Sequence, residues 1–389
     1  MFPDLSRVRM GMARIGLVVA SLVLAACQSG TSPSAGPSNG AGAAIPVALL
    51  VPGGSSEAGD NFIAASLENA ARLAIADLGG VQIDLRVYNT QGSPEQAGAM
   101  AAQAVSDGAV VILGPFYALE ANAAGLAVAE QGVNVLSFSN NTDVAGGNVY
   151  LLGQTFDATA RRLAGYAVSK GLDRAMIVHD PDPAGLVALA AIQRAMAGAG
   201  GTVAAVGTYE FSQNGIVQAI PGITASAKSS GAKAVFLTAD SAGALPLLSQ
   251  LLMENGVGPN STQFVGLTRW DIPAATLALP GVQGAWFALP DPATNQQFQA
   301  RYAAAYGAAP PIYAGFAYDG IAALGAIAKQ GGTVDAASLT QSAGFVGVGG
   351  IFRLRSDGTT DRGLAIAQIQ NSQVVVIEPA PNNFGGVGF

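Results

Sequence analysis

The sequence has little of the chemistry on which most enzymes and metal proteins depend. Its 389 residues include one cysteine, Cys27, and one histidine, His179. A single cysteine cannot form an internal disulfide, and one cysteine with one histidine cannot supply a zinc site. No Gly-x4-Gly-Lys-Ser/Thr motif is present. With no nucleophile–base pair visible, we expect a protein that is not an enzyme and holds no metal or cofactor.

Charge and long apolar runs are also scarce. Only 11% of the residues are charged, the formal net charge is −7, and no run of Lys and Arg occurs, which argues against a nucleic-acid partner. Hydrophobic residues make up 50% of the chain, but beyond the N-terminus charge, Gly or Pro interrupts every apolar run within about 8–12 residues. An integral membrane protein is therefore excluded.

The N-terminal residues 1–26 have the pattern of an export signal. Arginines precede an apolar stretch at Ile15–Leu24, and the stretch ends in Leu24-Ala25-Ala26-Cys27. This ending resembles a bacterial lipobox, in which the cysteine is acylated after cleavage. The resemblance implies a periplasmic protein held on the membrane by lipid on Cys27; the alternative is an ordinary secretory signal with an incidental cysteine.

Residues 27–44 are predicted to be a flexible tether. From Gln28 onwards they contain no charge and no large apolar side chain, so they cannot bury enough surface to become ordered. Gln28 stands where an Asp retains enteric lipoproteins in the inner membrane. The outer membrane is therefore slightly favoured.

From Ile45 onwards, short apolar strands alternate with amphipathic helices. The predicted strands are Pro46–Val51, Val81–Tyr88, Val110–Leu113, Val133–Phe138, Val149–Leu152, Ala175–His179, Thr202–Tyr209, Ala234–Thr238, Gln263–Leu267 and Val282–Phe287. This alternation predicts an α/β fold with mainly parallel sheets covered by helices. After about residue 344 strands follow one another, with a hairpin turn at Gly358, which predicts a C-terminal antiparallel β tail.

The order of these elements resembles the type I periplasmic binding protein fold, in its leucine-binding-protein-like branch. The resembling pieces are Val47–Pro52, Gly114-Pro115, Val135–Asn140 and Ile177–Asp180. The resemblance covers about residues 45–380. It implies two lobes, one formed by 45–153 plus 310–344 and the other by 154–309 plus 345–389, with hinge closure on a small-molecule ligand.

Within that branch, the sequence is most similar to the penicillin-binding protein activator lipoproteins. The similar segments are Gly266–Asp271, Phe287–Pro292, Tyr318–Gly320, Gly349–Arg353, Arg362–Ala365 and Pro379–Pro381. The similarity implies an alternative function, a regulator of peptidoglycan synthesis that acts on a penicillin-binding protein. The leading hypothesis remains a non-enzymatic ligand-binding module whose partner is an ABC permease or a signalling protein.

The predicted ligand residues of the first lobe follow its third and fourth strands. Phe116 and Tyr117 stand where amino-acid-binding relatives offer hydroxyls to the ligand carboxylate. Ser139, Asn140 and Asn141 follow the fourth strand and provide polar groups, although such residues also cap turns.

The predicted ligand residues of the second lobe lie mostly after its fourth strand. Thr268 stands near the position of the acidic residue that pairs with the ligand ammonium in relatives. Asp271 or Asp240 is the substitute carboxylate for that role, since a buried ammonium without one is costly. Trp270 is predicted either to cover an apolar or sugar-like ligand face or to belong to the core.

Overall fold

The computed structural model describes residues 44–259 and 261–385. The predicted signal 1–26, Cys27 and most of the predicted tether lie outside the described residues. No helix within the described ranges combines the length and the apolar character that crossing a bilayer requires. The described chain alternates strands and helices as far as residue 339 and then continues mainly in strands.

The first sheet contains five parallel strands in the order β2-β1-β3-β4-β5. The strands and their helices are β1 (Ile45–Val51), α1 (Ala58–Asp77), β2 (Ile83–Asn89), α2 (Pro94–Ser106), β3 (Val111–Leu113), α3 (Ala118–Val128), β4 (Asn134–Ser137) and β5 (Val149–Leu151). Along β1, Val47 and Leu49 pack on the α1 side, whereas Ala48 and Leu50 pack on the side of α2 and α3. Both faces of the sheet are thus covered, which explains the continuous apolar strand sequences.

The second sheet has seven strands in the order β15-β14-β10-β9-β8-β6-β7. Its elements are α4 (Phe156–Ser169), β6 (Arg174–His179), α5 (Pro183–Gly198), β7 (Thr202–Thr208), α6 (Gln213–Ser230), β8 (Ala234–Leu237), α7 (Leu245–Glu254), β9 (Gln263–Gly266), β10 (Trp286–Leu289), β14 (Ala365–Gln370) and β15 (Gln373–Glu378). The strands β6 to β10 are parallel, while β14 and β15 are antiparallel additions at one edge. Val235 and Leu237 face α6 and α7, and the alternate residues face α4 and α5.

A third, antiparallel sheet lies in the C-terminal part of the described chain. It contains β11 (Phe345–Gly347), β12 (Gly350–Leu354) and β13 (Thr360–Arg362), and the helices before it are α8 (Pro292–Tyr306), α9 (Ala314–Lys329) and α10 (Ala336–Leu339). Gly358 has a φ of +81° in the turn that joins β12 to β13. The prediction of an α/β fold with two mainly parallel sheets and a C-terminal antiparallel β tail is confirmed.

The division into lobes differs from the predicted one in two segments. Phe298 and Tyr302 of α8, and Phe345 and Phe352 of the third sheet, pack in the same hydrophobic core as β1, α1 and α9. The lobe bounds implied by the resemblance, 154–309 plus 345–389, placed both segments in the second lobe. We call β1–β5, α1–α3, α8–α10 and β11–β13 the first lobe, and α4–α7, β6–β10, β14 and β15 the second lobe. The chain passes between these lobes after β5, after β10 and after β13.

Candidate functional site

A cavity of about 500 Å³ lies between the two lobes, where the parallel strands of both sheets end. Loops from the carboxyl ends of parallel strands form ligand sites in open α/β sheets. Six of the nine predicted ligand residues line this cavity: Phe116, Tyr117, Ser139, Asn140, Asn141 and Thr268. The loops after β3, β4 and β9 contribute all six.

The loop after β3 brings aromatic rings to the cavity. Gly114 has a φ of +87°, and a Cβ atom there would overlap the Leu50 carbonyl oxygen, so the turn requires glycine. The turn is followed by Phe116, whose ring centroid lies 5.1 Å from that of Tyr117 and 5.2 Å from that of Tyr313, both edge-on. Three rings thus form one wall, and edge-to-face contacts of this kind stabilise their relative placement.

Buried acidic groups support Tyr117 from behind. Its hydroxyl donates to Asp60 Oδ1 at 2.5 Å, and its backbone N–H donates to Glu120 Oε2 at 3.3 Å. Glu120 is fully buried, and its Oε1 accepts a hydrogen bond from the Thr90 hydroxyl at 2.5 Å. Burial raises the pKa of Glu120, and burial together with Asp60 raises the pKa of Tyr117 to about 12. Tyr117 is therefore a neutral hydrogen-bond donor at physiological pH.

The loop after β4 uses most of its polar groups to hold its own shape. Ser139 Oγ accepts a hydrogen bond from the Asn141 backbone N–H at 3.1 Å. The Asn141 side chain in turn accepts from Asp143 N–H at 2.9 Å and begins the short 3₁₀ helix Thr142–Val144. Turn capping, which was an alternative for these residues, is therefore observed for Ser139 and Asn141. The exposed Asn140 side chain makes no hydrogen bond with the described residues.

The loop after β9 is anchored by a buried tryptophan. Trp270 has no exposed surface and lies against Gly266, where a Cβ atom would overlap the indole ring. The loop therefore folds back under β9, and Thr268 and Arg269 line the cavity. Arg269 pairs with Asp271 through Nε–Oδ1 at 2.6 Å and Nη2–Oδ2 at 2.5 Å.

Three predicted ligand residues do not line the cavity. Trp270 belongs to the core of the second lobe, because the gap beside Gly266 accepts its ring. Asp271 is held by Arg269, and Asp240 lies in the exposed turn before α7, where its backbone carbonyl accepts from Gly243 N–H and Leu245 N–H. Among the described residues, neither carboxylate is placed to meet a ligand ammonium in this cavity.

The sequence reasoning missed most of the aromatic lining. Seven aromatic side chains line the cavity, and five of them were not predicted: Phe138, Phe156, Phe298, Tyr313 and Phe316. Phe138 comes directly after β4 and directly before the predicted Ser139, so its position was a usable signal. The aromatic residues of α8 and α9 come from elements distant along the chain, and no local pattern marked them.

A buried ion pair closes the cavity at the junction of the lobes. Asp319, only 1% exposed, accepts from Arg362 Nη1 at 2.7 Å and from Val348 N–H at 2.8 Å. Arg362 also donates to the Leu152 carbonyl, and its guanidinium lies 5.1 Å from the Phe316 ring centroid. Burial raises the pKa of Asp319 while Arg362 opposes that shift. The pair therefore ties α9 to β13 and to the end of β5.

A family model described as periplasmic binding protein matches residues 44–373. No curated protein matches the chain. Among solved structures, a protein described as a branched-chain amino acid ABC transporter from Rhodospirillum rubrum is 19% identical, with a TM-score of 0.72, and the match covers 86% of this chain and 100% of that one.

Two further solved structures were determined with ligands. A substrate-binding protein from Desulfitobacterium hafniense in complex with Leu is 17% identical, with a TM-score of 0.60 and coverage of 86% of this chain and 100% of that one. A solute-binding protein from Rhodopseudomonas palustris in complex with 3,4-dihydroxybenzoic acid is 19% identical, with a TM-score of 0.56 and coverage of 87% and 96%. At these identities the similarity establishes the fold.

Proposed function

Because the chain belongs to the periplasmic binding protein family, we propose that it is a non-enzymatic solute-binding lipoprotein that delivers a small molecule to an ABC permease or a sensor. The observation that carries this proposal is the cavity of about 500 Å³ between the lobes. Its volume lies within the range of small-molecule sites, and its lining combines aromatic walls with a few polar groups. Amino acids and small aromatic acids are the first candidates, since relatives of this fold were solved with leucine and with 3,4-dihydroxybenzoic acid.

Thermal unfolding in the presence of compounds tests this proposal. Ligand binding to the native state raises the melting temperature by mass action. The panel contains amino acids, short peptides, cell-wall fragments and aromatic acids. We expect at least one compound to stabilise the wild-type protein by several degrees.

Two tryptophan substitutions in the first turn of α3 show whether such a compound occupies the cavity. Ala118 lines the cavity, so Ala118→Trp should fill part of it and abolish the thermal shift. The neighbouring Leu119 is 70% exposed and is not part of the lining, so Leu119→Trp should keep the shift. Equal responses in both variants, or no stabilisation by any compound, would contradict the proposal.

Lipid attachment at Cys27 is part of the same proposal and rests on the lipobox-like Leu24-Ala25-Ala26-Cys27. Acyl chains there would hold the protein on the periplasmic face of a membrane. Metabolic labelling with a fatty acid should mark the wild-type protein and not Cys27→Ser. The variant should also leave the membrane fraction, whereas equal labelling of both proteins would show that Cys27 is not acylated.

Regulation of a penicillin-binding protein remains the alternative predicted from the sequence. An open cavity favours solute binding over this alternative, because a cleft filled by its own aromatic side chains would not leave about 500 Å³. Affinity capture from a detergent lysate separates the two functions. A permease as the captured partner supports solute delivery, and a peptidoglycan synthase supports the alternative.

A further inference from the structure

The charged groups around the cavity are already paired with one another. Three charged residues belong to the described lining: Arg269, Asp319 and Arg362. Both carboxylate oxygens of Asp319 are engaged, one by Arg362 and the other by the Val348 N–H. No lining carboxylate within the described ranges is therefore available to a ligand ammonium, and burying an unpaired ammonium is costly.

Hydrogen-bond donors, in contrast, remain unused in the second-lobe wall, as does the buried Arg362 Nε at the junction of the lobes. Arg269 gives Nε and Nη2 to Asp271, and its Nη1 group makes no hydrogen bond with the described residues. The Thr268 hydroxyl oxygen is buried and also lacks a partner in the described part of the chain. A buried polar atom in a cavity wall that has no protein partner is available to hydrogen-bond a ligand.

The first-lobe wall faces these donors mainly with aromatic side chains, beside the polar Ser139, Asn140 and Asn141. Six of the seven lining aromatic side chains belong to the first lobe, and Phe116, Tyr117 and Tyr313 form a contiguous group of rings. Rings arranged in this way bury aromatic or branched aliphatic groups by apolar contact. The two walls together suit a ligand that is apolar at one end and accepts hydrogen bonds at the other.

We infer that the ligand is an apolar carboxylic acid, aromatic or branched, without an α-ammonium group, and that Arg269 and Thr268 bind its carboxylate. This inference rests on the proposed solute-binding function and names its substrate class. The Arg269 N–H groups that Asp271 does not use supply charge-assisted hydrogen bonds, and the Thr268 hydroxyl supplies one more. An ammonium group beside the carboxylate would lie in the same wall without a partner.

Matched pairs of ligands test the inference by isothermal titration calorimetry on the wild-type protein. Isocaproate is leucine without its amino group, and hydrocinnamate is phenylalanine without it. We expect each acid to bind at least about 100-fold more tightly than its amino acid, because only the amino acid buries an unpaired ammonium. The uncharged amides, isocaproamide and hydrocinnamide, should bind about tenfold or more weakly than the acids.

Substitutions of Thr268 and Arg269 test whether these two residues bind the ligand carboxylate. Thr268→Val removes an unpartnered hydroxyl while keeping the side-chain shape, so the protein should remain as stable as the wild type. Binding of the acids should nevertheless weaken about tenfold, and binding of the amides should change less. Arg269→Gln should weaken acid binding further. Arg86→Gln is the control, since Arg86 pairs with Asp84 outside the cavity lining.

The outcomes separate this inference from the function on which it rests. Tighter binding of the acids, lost in Thr268→Val, supports it. Tighter binding of the amino acids or of the amides overturns it and leaves solute binding intact. If none of the six compounds binds at millimolar concentration, the inference is overturned, and the comparison of Ala118→Trp with Leu119→Trp decides solute binding on the wider panel.

Discussion

The two walls of the cavity differ in kind. The first-lobe wall is mainly aromatic, and hydrogen bonds from the Thr90 hydroxyl and the Tyr117 N–H to Glu120 support it from behind. The second-lobe wall carries Thr268 and Arg269, whose unused donors face the cavity on a loop held by Trp270. Under the proposed solute-binding function, we expect the first lobe to select the apolar shape of a ligand and the second lobe to select its charge.

The junction between the walls should give the largest effect on stability. Asp319→Ala would leave the buried Arg362 guanidinium without its carboxylate, and we expect a loss of about 3–5 kcal/mol in the free energy of unfolding. Urea denaturation measures this loss. Asp84→Ala removes one member of an exposed pair and should cost no more than about 1 kcal/mol.

A double variant shows whether the cost comes from the orphaned charge. Asp319→Leu combined with Arg362→Met should be more stable than Asp319→Ala, because neither charge is then buried alone. A double variant as unstable as the single one would indicate that packing, not charge, dominates at the junction.

The aromatic wall should contribute more to ligand affinity than the single aromatic residue opposite. Phe116→Ala removes the ring between Tyr117 and Tyr313, and we expect a loss of about 2 kcal/mol, or about 30-fold, in the affinity for an apolar ligand. Phe156→Ala is the matched change in the second lobe. The Phe156 ring lines the cavity without a ring–ring contact to the described residues, so its loss should cost less. Calorimetric titration of both variants compares the two walls. Equal losses of ligand affinity would contradict a larger contribution from the first-lobe wall.

The Glu120 carboxyl behind the aromatic wall should make the free energy of unfolding depend on pH. Burial raises the pKa of Glu120 above its ordinary value of 4.5, so the native state retains this proton longer than the unfolded state does. The stabilisation is complete below pH 4.5 and is lost as the pH rises through the raised native pKa. Glu120→Gln should reduce this loss of stability with rising pH. It should also lower the free energy of unfolding by about 1 kcal/mol, because the amide has one acceptor oxygen for the Thr90 hydroxyl and the Tyr117 N–H.

Urea denaturation at several pH values measures the slope, and Glu254→Gln on the exposed face of α7 is the control. The difference between wild type and Glu120→Gln removes the contributions of Asp319 and other groups common to both proteins. A slope unchanged by Glu120→Gln would mean that this carboxyl titrates alike in the native and unfolded states.

The smallest effect is expected from the hydroxyl at the rim of the aromatic wall. Tyr117→Phe removes the hydrogen bond to Asp60 and keeps the ring, so stability should fall by about 0.5 kcal/mol and affinity for an apolar acid should hardly change. Tyr306→Phe, which removes an exposed bond to the Asn69 carbonyl, is the control. A large loss of affinity in Tyr117→Phe alone would show that the Tyr117 hydroxyl also binds a polar group of the ligand.

Much of the fold and part of the site could be predicted from local sequence. The strand segments were visible because both faces of each sheet are covered, which makes β1 and β8 apolar throughout. Phe116 and Ser139 could be placed because they lie within three residues of the ends of such strands. Trp270 was uncertain, since its burial depends on the absence of a side chain at Gly266 and on the core around both residues.

The order of strands and helices, and with it the position of the loops at one sheet edge, is set by apolar periodicity, turn glycines and the spacing of elements along the sequence. The assignment of α8 and the third sheet to the first lobe was decided only in three dimensions, as was the pairing of Asp319 with Arg362 across 43 residues. These features depend on contacts between distant segments, whose energies come from burial and charge pairing rather than from local propensity. For the same reason, the contrast between an aromatic wall and a donor wall belongs to the folded protein.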